Sequence, residues 1–321
     1  MGLVRFQPVY VERVWGGREL EKTFGRRLPA GVPVGESWDV VDRPEAQSVI
    51  TGGPTDGMTL RSALERCADV LMGPSFGAGD PFPILVKWLD CSQRLSLQVH
   101  PRAAEAARLG GEPKTENWYV AKATDEAAVF VGMKDPVTRQ RFEAALADGE
   151  VESLVRRVRV RAGESIFVPS GRVHAIDAGN LILEVQENSD TTYRLYDWDR
   201  LGLNGRPREL HLEEGLASAA FDDTAPSVRG IGEGETEIAN CEQFRIRRYR
   251  LEPGDLLPGK DTNSAPWLIH VVSGSLRDRE SGIRLGKGDN ALAPYRDSMV
   301  GEAMEKSTVL ITDRFSGRIR E

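Results

Sequence analysis

Apolar and polar positions alternate most cleanly along Leu95-Ser96-Leu97-Gln98-Val99-His100-Pro101. A period of two is the signature of a strand with one buried face. Leu95, Leu97 and Val99 fall on one face, and Ser96, Gln98 and His100 on the other. A solvated face more usually carries Lys, Glu or Thr. A hydroxyl, an amide and an imidazole in a row suit the lining of a pocket, although ordinary polar alternation leaves the same pattern. Partners elsewhere in the chain have to decide.

The flanking pattern is mostly that of strands. Trp38–Val41 and Ser48–Ile50 are short apolar runs among Gly and Pro turns. Residues 59–72 have helical spacing, with Leu60, Leu64, Cys67 and Leu71 on one stripe and Gly73-Pro74 as the stop. Phe82 to Asp90 predicts a buried strand with one charge, Lys87, which either snorkels or meets a ligand anion. Residues 102–109 predict a short helix and 136–147 an amphipathic one. In the predicted strand Lys114–Val120, Lys114, Glu116 and Trp118 share a face. Arg157 to Arg161 alternates strictly, as a solvated basic sheet face does. Leu181–Gln186 is an apolar strand, Asn188-Ser189-Asp190 a turn, and Thr191–Asp197 a further strand.

Residues 213–240 are polar, acidic and Gly-rich. Gly230-Ile-Gly232-Glu-Gly234 has no strand before it and no helix after it, so it predicts a linker and not a nucleotide loop. Strands resume at 244–251, 267–272, 283–285, 290–294 and 308–312. Many short strands with regular turns predict an all-β sandwich or barrel. An internal repeat extends this. Gly163 is followed by five residues and Pro169, and Gly288 by five residues and Pro294. His174 lies five residues after the first proline, and Met299 holds that place in the second copy. Two related β-barrels are expected, only the first with a histidine there. The expected division is 1–215, a linker at 216–240, and 241–321.

Composition narrows the function. The chain has 321 residues, 40% hydrophobic and 28% charged, as a globular protein with ample core. A net charge of -7 argues against a general nucleic-acid binder. No stretch approaches the roughly 20 apolar residues of a membrane span, and Met-Gly-Leu-Val-Arg-Phe does not read as a signal peptide. Cys67, Cys91 and Cys241 are odd in number and widely spaced, which fits a reducing cytoplasm and no thiolate metal site.

Only His100, His174, His211 and His270 can supply imidazoles. Gln98 and His100 project from one strand, Glu116 from the next, and His174 follows the Gly-x5-Pro-Ser-Gly turn. Two imidazoles, a carboxylate and an amide oxygen suit a divalent transition ion, Zn²⁺ first, with Mn²⁺, Co²⁺ or Fe²⁺ as alternatives. Hydrogen-bonded core histidines are the plainer alternative.

The motifs resemble a known family. Gly163…Pro169-Ser-Gly171-Arg-Val-His174 looks like the second cupin motif. Leu95 to Pro101, Lys114-Thr-Glu116 and Glu184-Val-Gln-Glu-Asn-Ser-Asp190-Thr-Thr-Tyr-Arg194 are similar to type I phosphomannose isomerases of the short bacterial form. The resemblance is clear over roughly residues 5–215 and looser beyond. It implies a mainly β fold of two cupin-like (jelly-roll) barrels with a few short helices. It also implies one Zn²⁺ on Gln98, His100, Glu116 and His174, with Arg194 as the active-site arginine. Lys87, Ser96 and Lys114 match positions for the substrate phosphate or site wall, and Glu184 and Asp190 match acidic positions near the sugar. Gln98 stands where many cupins have histidine, and Ala178 where the motif often ends in Asn.

The implied reaction interconverts mannose 6-phosphate and fructose 6-phosphate through an enediol(ate). Such chemistry needs a base, a stabiliser of negative oxygen and a phosphate holder. Metal-bound hydroxide, Lys114, Glu184 and Asp190 are all candidates for the base. For Arg194, a salt bridge to Asp197 or Asp199 is the competing role. A cupin that only senses a sugar phosphate is the alternative function. A hexose phosphate partner, no nucleic acid, no membrane, and a monomer or weak homodimer complete the expectations.

Overall fold

In a computed structural model, residues 2–224, 227–230, 232 and 234–315 are described. The fold is mainly β, built on antiparallel sheets. The chain divides into two compact units, one of residues 1–9, 38–87 and 231–321, the other of 10–37 and 88–230.

This differs from the expected cuts at 215 and 241. The reason lies in strand pairing within the first unit. Val4–Gln7 pairs with Asn290–Ala293 on one side and Val49–Thr51 on the other. The N-terminal strand is therefore built into a sheet made mainly from the C-terminal third. That sheet runs Thr236–Asn240, Arg245–Leu251, Ser307–Asp313, Trp267–Ser273, Asn290–Ala293, Val4–Gln7, Val49–Thr51. One face buries Tyr249, Leu251, Ile269, Val271, Ala291, Ala293, Val309 and Ile311, the period-two pattern of a half-buried strand.

The stretch expected as a linker also carries structure. Leu212–Ser218 is a helix, Ser227–Arg229 pairs with Ser165–Val168, and Thr236–Asn240 pairs with Arg245–Leu251. Its low hydrophobicity hid short edge elements that take their stability from neighbours.

In the second unit, a five-stranded sheet runs Val155–Arg159, Ala128–Met133, His174–Ile176, Leu97–Val99, Tyr193–Tyr196. Its outer face places Leu97, Val99, Phe130, Ala175, Tyr193 and Leu195 against Phe142, Val151 and Leu216. Its inner face places Val129, Val131 and Ile176 in one cluster with Trp118, Val120, Ile166, Val168 and Ile182. The latter five come from a second sheet that includes Ser165–Val168, Glu116–Ala123 and Asn180–Glu187. Leu95 departs from the expected alternation and packs in this inner cluster. The strand proper begins only at Leu97, so the register argument does not reach back to residue 95.

The repeat has a structural counterpart. Gly163 and Gly288 have φ of 95° and 88°, the left-handed region that glycine enters without a Cβ penalty. Each lies two residues before a four-residue strand, Ser165–Val168 and Asn290–Ala293. In the second copy Met299 is buried among Leu257, Leu276 and Ala303.

Most predicted elements are present. The helix at Leu60–Leu71 begins on Thr59, whose hydroxyl accepts from the Ser62 amide. Cys67 is only half-buried there because its backbone leaves helical geometry, and Ala63 and Ala68 complete the buried stripe instead. Arg139–Ala147 starts on the Thr138 cap. All three cysteines are free. No helix among the described residues is long and apolar enough to cross a membrane.

Candidate active site

The site is set by strand register. His174 lies directly across from Gln98, and Gln98 directly across from Arg194. Opposed residues of antiparallel strands share a face. The three side chains therefore form a row on the inner face of the five-stranded sheet, with His100 two residues along from Gln98. On the facing sheet Glu116 lies opposite Gln186, and Trp118 opposite Glu184. The sequence pattern thus brings both predicted polar faces into the interior of one unit.

His100, Glu116 and His174 offer ligand atoms that all lie within 4.8 Å of one another. His100 and His174 are oriented by backbone carbonyls. The Nδ1–H of His100 donates to the Thr191 carbonyl at 2.8 Å, and that of His174 to the Arg172 carbonyl at 2.8 Å. A carbonyl can only accept, so each Nδ1 carries the proton and each Nε2 keeps its lone pair. Those Nε2 atoms lie 3.4 and 3.5 Å from the Glu116 carboxylate. Trp118 packs edge-on against His174 at 5.4 Å and donates from its indole to Glu184 at 3.0 Å.

Electrostatics follow from burial. Burial, reinforced by the Lys114 ammonium, pushes His100 down to about 3, and burial lowers His174 as well. Both imidazoles are therefore neutral at neutral pH, the form that binds a metal. Burial, the largest influence, would raise Glu116, but the Lys114 ammonium at 2.8 Å together with His100 and His174 outweighs it and holds the carboxyl well below the usual range. The same carboxylate raises Lys114 against its own desolvation.

The donor set fits a divalent cation. Neither Glu116 oxygen, both buried, accepts a hydrogen bond of ordinary geometry, though Lys114 lies in ion-pair range. Lys114 also lies 3.3 Å from His100 Nε2, so it stands in part where a cation would. Gln98 turns its amide nitrogen to His174 Nε2 at 3.2 Å, and its oxygen accepts from Ser96 at 3.3 Å. A half-turn of that amide exchanges nitrogen and oxygen at the same place.

The remaining predicted residues are distributed as follows. Ser96 is buried and close to Gln98. Glu184 is buried, and Asp190 is exposed. Lys87 is buried in the other unit, its ammonium 4.6 Å from the centre of the Trp38 ring. Arg194 donates from Nη1 to the Glu209 carbonyl at 2.6 Å, while its buried Nε has no hydrogen-bond partner. The competing salt bridges are otherwise engaged: Asp197 is held by Arg200 and Arg208, and Asp199 accepts from the Tyr196 hydroxyl. Sequence reasoning passed over Gln186. Its position two residues after Glu184, on the same face, was the available signal.

Sequence and structure comparisons identify the relatives of this chain. Residues 3–136 match the model of the phosphomannose isomerase type I catalytic domain. The chain is 36% identical over 303 residues to the mannose-6-phosphate isomerase ManA of Bacillus subtilis, covering 90% of this chain and 92% of that one. It is 38% identical over 303 residues to the mannose-6-phosphate isomerase of Streptococcus mutans, again covering 90% and 92%.

The chain belongs to the type I phosphomannose isomerase family.

A crystal structure of the Bacillus subtilis mannose 6-phosphate isomerase superposes with a TM-score of 0.84 at 28% identity, covering 97% of this chain and 99% of that one. Membership in this enzyme family disfavours the sugar-phosphate sensor.

Proposed function

We propose that this protein interconverts mannose 6-phosphate and fructose 6-phosphate, using one divalent cation, Zn²⁺ first, held by Gln98, His100, Glu116 and His174 inside a cupin-like barrel. The observation that carries the reading is the cluster of two neutral, pre-oriented imidazoles around a buried carboxylate. A divalent cation bound there would polarise the oxygens on C1 and C2 of the sugar.

The chain's own groups supply the rest. Isomerisation moves a proton between C1 and C2 and gathers negative charge on oxygen in an enediol(ate). Arg194 keeps its guanidinium charge in a partly buried place, with Nε–H free to donate to that oxygen. Glu184, oriented by the Trp118 indole, and Lys114, paired with Glu116, are the buried candidates for moving the proton. Ser96 has a hydroxyl to offer the phosphate, and Asp190 an exposed carboxylate at the sugar end.

The test is a coupled assay with both hexose phosphates, on chelator-stripped protein and after reloading with each cation. Turnover that vanishes on stripping and returns on loading supports the reading, and absence of turnover after loading sinks it. His174→Ala should lose both bound metal and turnover. Arg194→Ala should keep the metal and lose turnover by on the order of 10²-fold or more. Near-normal rates in Arg194→Ala would remove that side chain from the mechanism.

A further inference from the structure

We propose that Gln186 is a positioning residue that fixes the tautomer and orientation of His100 through the turn at residues 187–191. The proposal rests on the metal reading above, but its first measurement needs no metal.

Gln186 is fully buried on the inner face, directly across from Glu116. Its amide nitrogen donates to the Glu187 carbonyl at 2.8 Å and to the Ser189 carbonyl at 2.7 Å. Two carbonyls can be satisfied only by the NH₂ end, so chemistry fixes the orientation of the amide. Both amide protons are spent on one turn. The Ser189 amide donates to Glu187 O at 2.7 Å, and the Thr191 amide to the Ser189 hydroxyl at 3.2 Å. The turn is pinned from outside where Glu187 accepts from the Thr115 amide at 2.7 Å and Thr191 from the Glu112 amide at 3.0 Å.

The product of this chain of bonds is the Thr191 carbonyl, aimed at His100 Nδ1 at 2.8 Å. A backbone acceptor on the far nitrogen decides which imidazole nitrogen faces the site. His174 reaches the same state by a different route, since its acceptor is the Arg172 carbonyl two residues away. The two histidines are thus separately wired, and only His100 depends on Gln186. The Gln186 oxygen is left buried without a partner. That unmade bond is consistent with an amide retained for its two donors.

The test is Gln186→Met, which keeps length and burial and removes both donors. Long-range ¹H–¹⁵N NMR on metal-free protein reads histidine tautomers directly, and four histidines make assignment tractable. In wild type, His100 and His174 should both show the Nδ1–H pattern. In Gln186→Met, His100 should become a tautomer mixture while His174 stays unchanged. Zinc affinity, measured by competition with a chelator, should fall by on the order of 10-fold. Combining Gln186→Met with His100→Ala should add little to the loss from His100→Ala alone, because both act through one ligand.

An unchanged His100 pattern with zinc affinity within about twofold of wild type overturns the proposal. A variant in which His100 and His174 both lose their pattern indicates general loosening and also overturns it. If wild type shows the tautomers but binds no zinc, the metal reading fails while the positioning role survives.

Discussion

At the residue scale, a buried imidazole serves different ends in the two units. In the unit of residues 10–37 and 88–230, His100 and His174 each spend Nδ1 on a backbone carbonyl and leave Nε2 facing a carboxylate. In the other unit His270 spends both nitrogens, on Asn290 at 2.6 Å and Thr312 at 2.9 Å, and Asn290 passes the network on to Asp39 at 2.7 Å. A ring with no free nitrogen serves the fold. Burial pushes His270 down from 6.5 to about 4. Above pH 6.5 the ring is neutral in both folded and unfolded chains, and its contribution is complete. Between pH 6.5 and 4 the unfolded chain binds the proton and the folded chain does not, so stability falls as pH falls. Below about 4 both are protonated and no further loss follows. The whole loss is about 3 kcal/mol, from the 1.36 kcal/mol carried by each pH unit. Urea titrations over this range should show His270→Gln with a pH slope shallower by about one proton. Parallel curves for variant and wild type would mean that His270 does not remain neutral in the fold.

At the element scale, the sequence made visible what depends on side-chain period and left obscure what depends on backbone approach. The alternation around Gln98 and His100, the shared face of Lys114, Glu116 and Trp118, and the Gly-x5-Pro turn before His174 were each readable as short strands bearing polar groups. Gln186 was hidden at the end of an apolar run, and the Thr191 and Arg172 carbonyls have no side-chain signature. The same limit explains the edge strands missed within 216–240. It also explains the double glycine of Trp15-Gly16-Gly17, whose meaning lies in a neighbouring strand. A Cβ built on Gly16 would lie 2.3 Å from the Gly35 nitrogen and 2.4 Å from the Val34 carbonyl carbon. These are backbone atoms of Val34–Val40, and they cannot swing aside as a side chain can. Gly16→Ala should therefore push Val9–Gly17 off its neighbour and cost about 2 kcal/mol or more. Gly79→Ala, where nothing lies within 4 Å, should be close to neutral. Thermal unfolding of the two variants separates these outcomes, and equal midpoints would show that the strands are not that close.

At the scale of the whole molecule, chain order and spatial order diverge. The N-terminal strand Val4–Gln7 lies between Asn290–Ala293 and the edge strand Val49–Thr51, and residues 38–87 fold with the last third of the chain. The sequence predicts two barrels joined by a linker at 216–240, and residue 230 lies within it. The pairing shows why a cut there gives no independent first half. A fragment ending at residue 230 would retain Val4–Gln7 and Val49–Thr51 but lose Asn290–Ala293. One edge of the N-terminal strand would be left with bare amides and carbonyls, a template for aggregation. It would also lose Ile269, Val271, Val309 and Ile311, and with them the apolar cluster in which Leu3 is buried. The fragment 1–230 should therefore accumulate as aggregate, although it holds the whole predicted metal set. Co-expression with 231–321 should return soluble protein, because that segment supplies Trp267–Ser273, Asn290–Ala293 and Ser307–Asp313 to the sheet. Size-exclusion chromatography and calorimetry of the fragment alone and of the pair decide the matter. A monomeric 1–230 fragment with a single cooperative transition would mean that the N-terminal strand does not need its C-terminal partner.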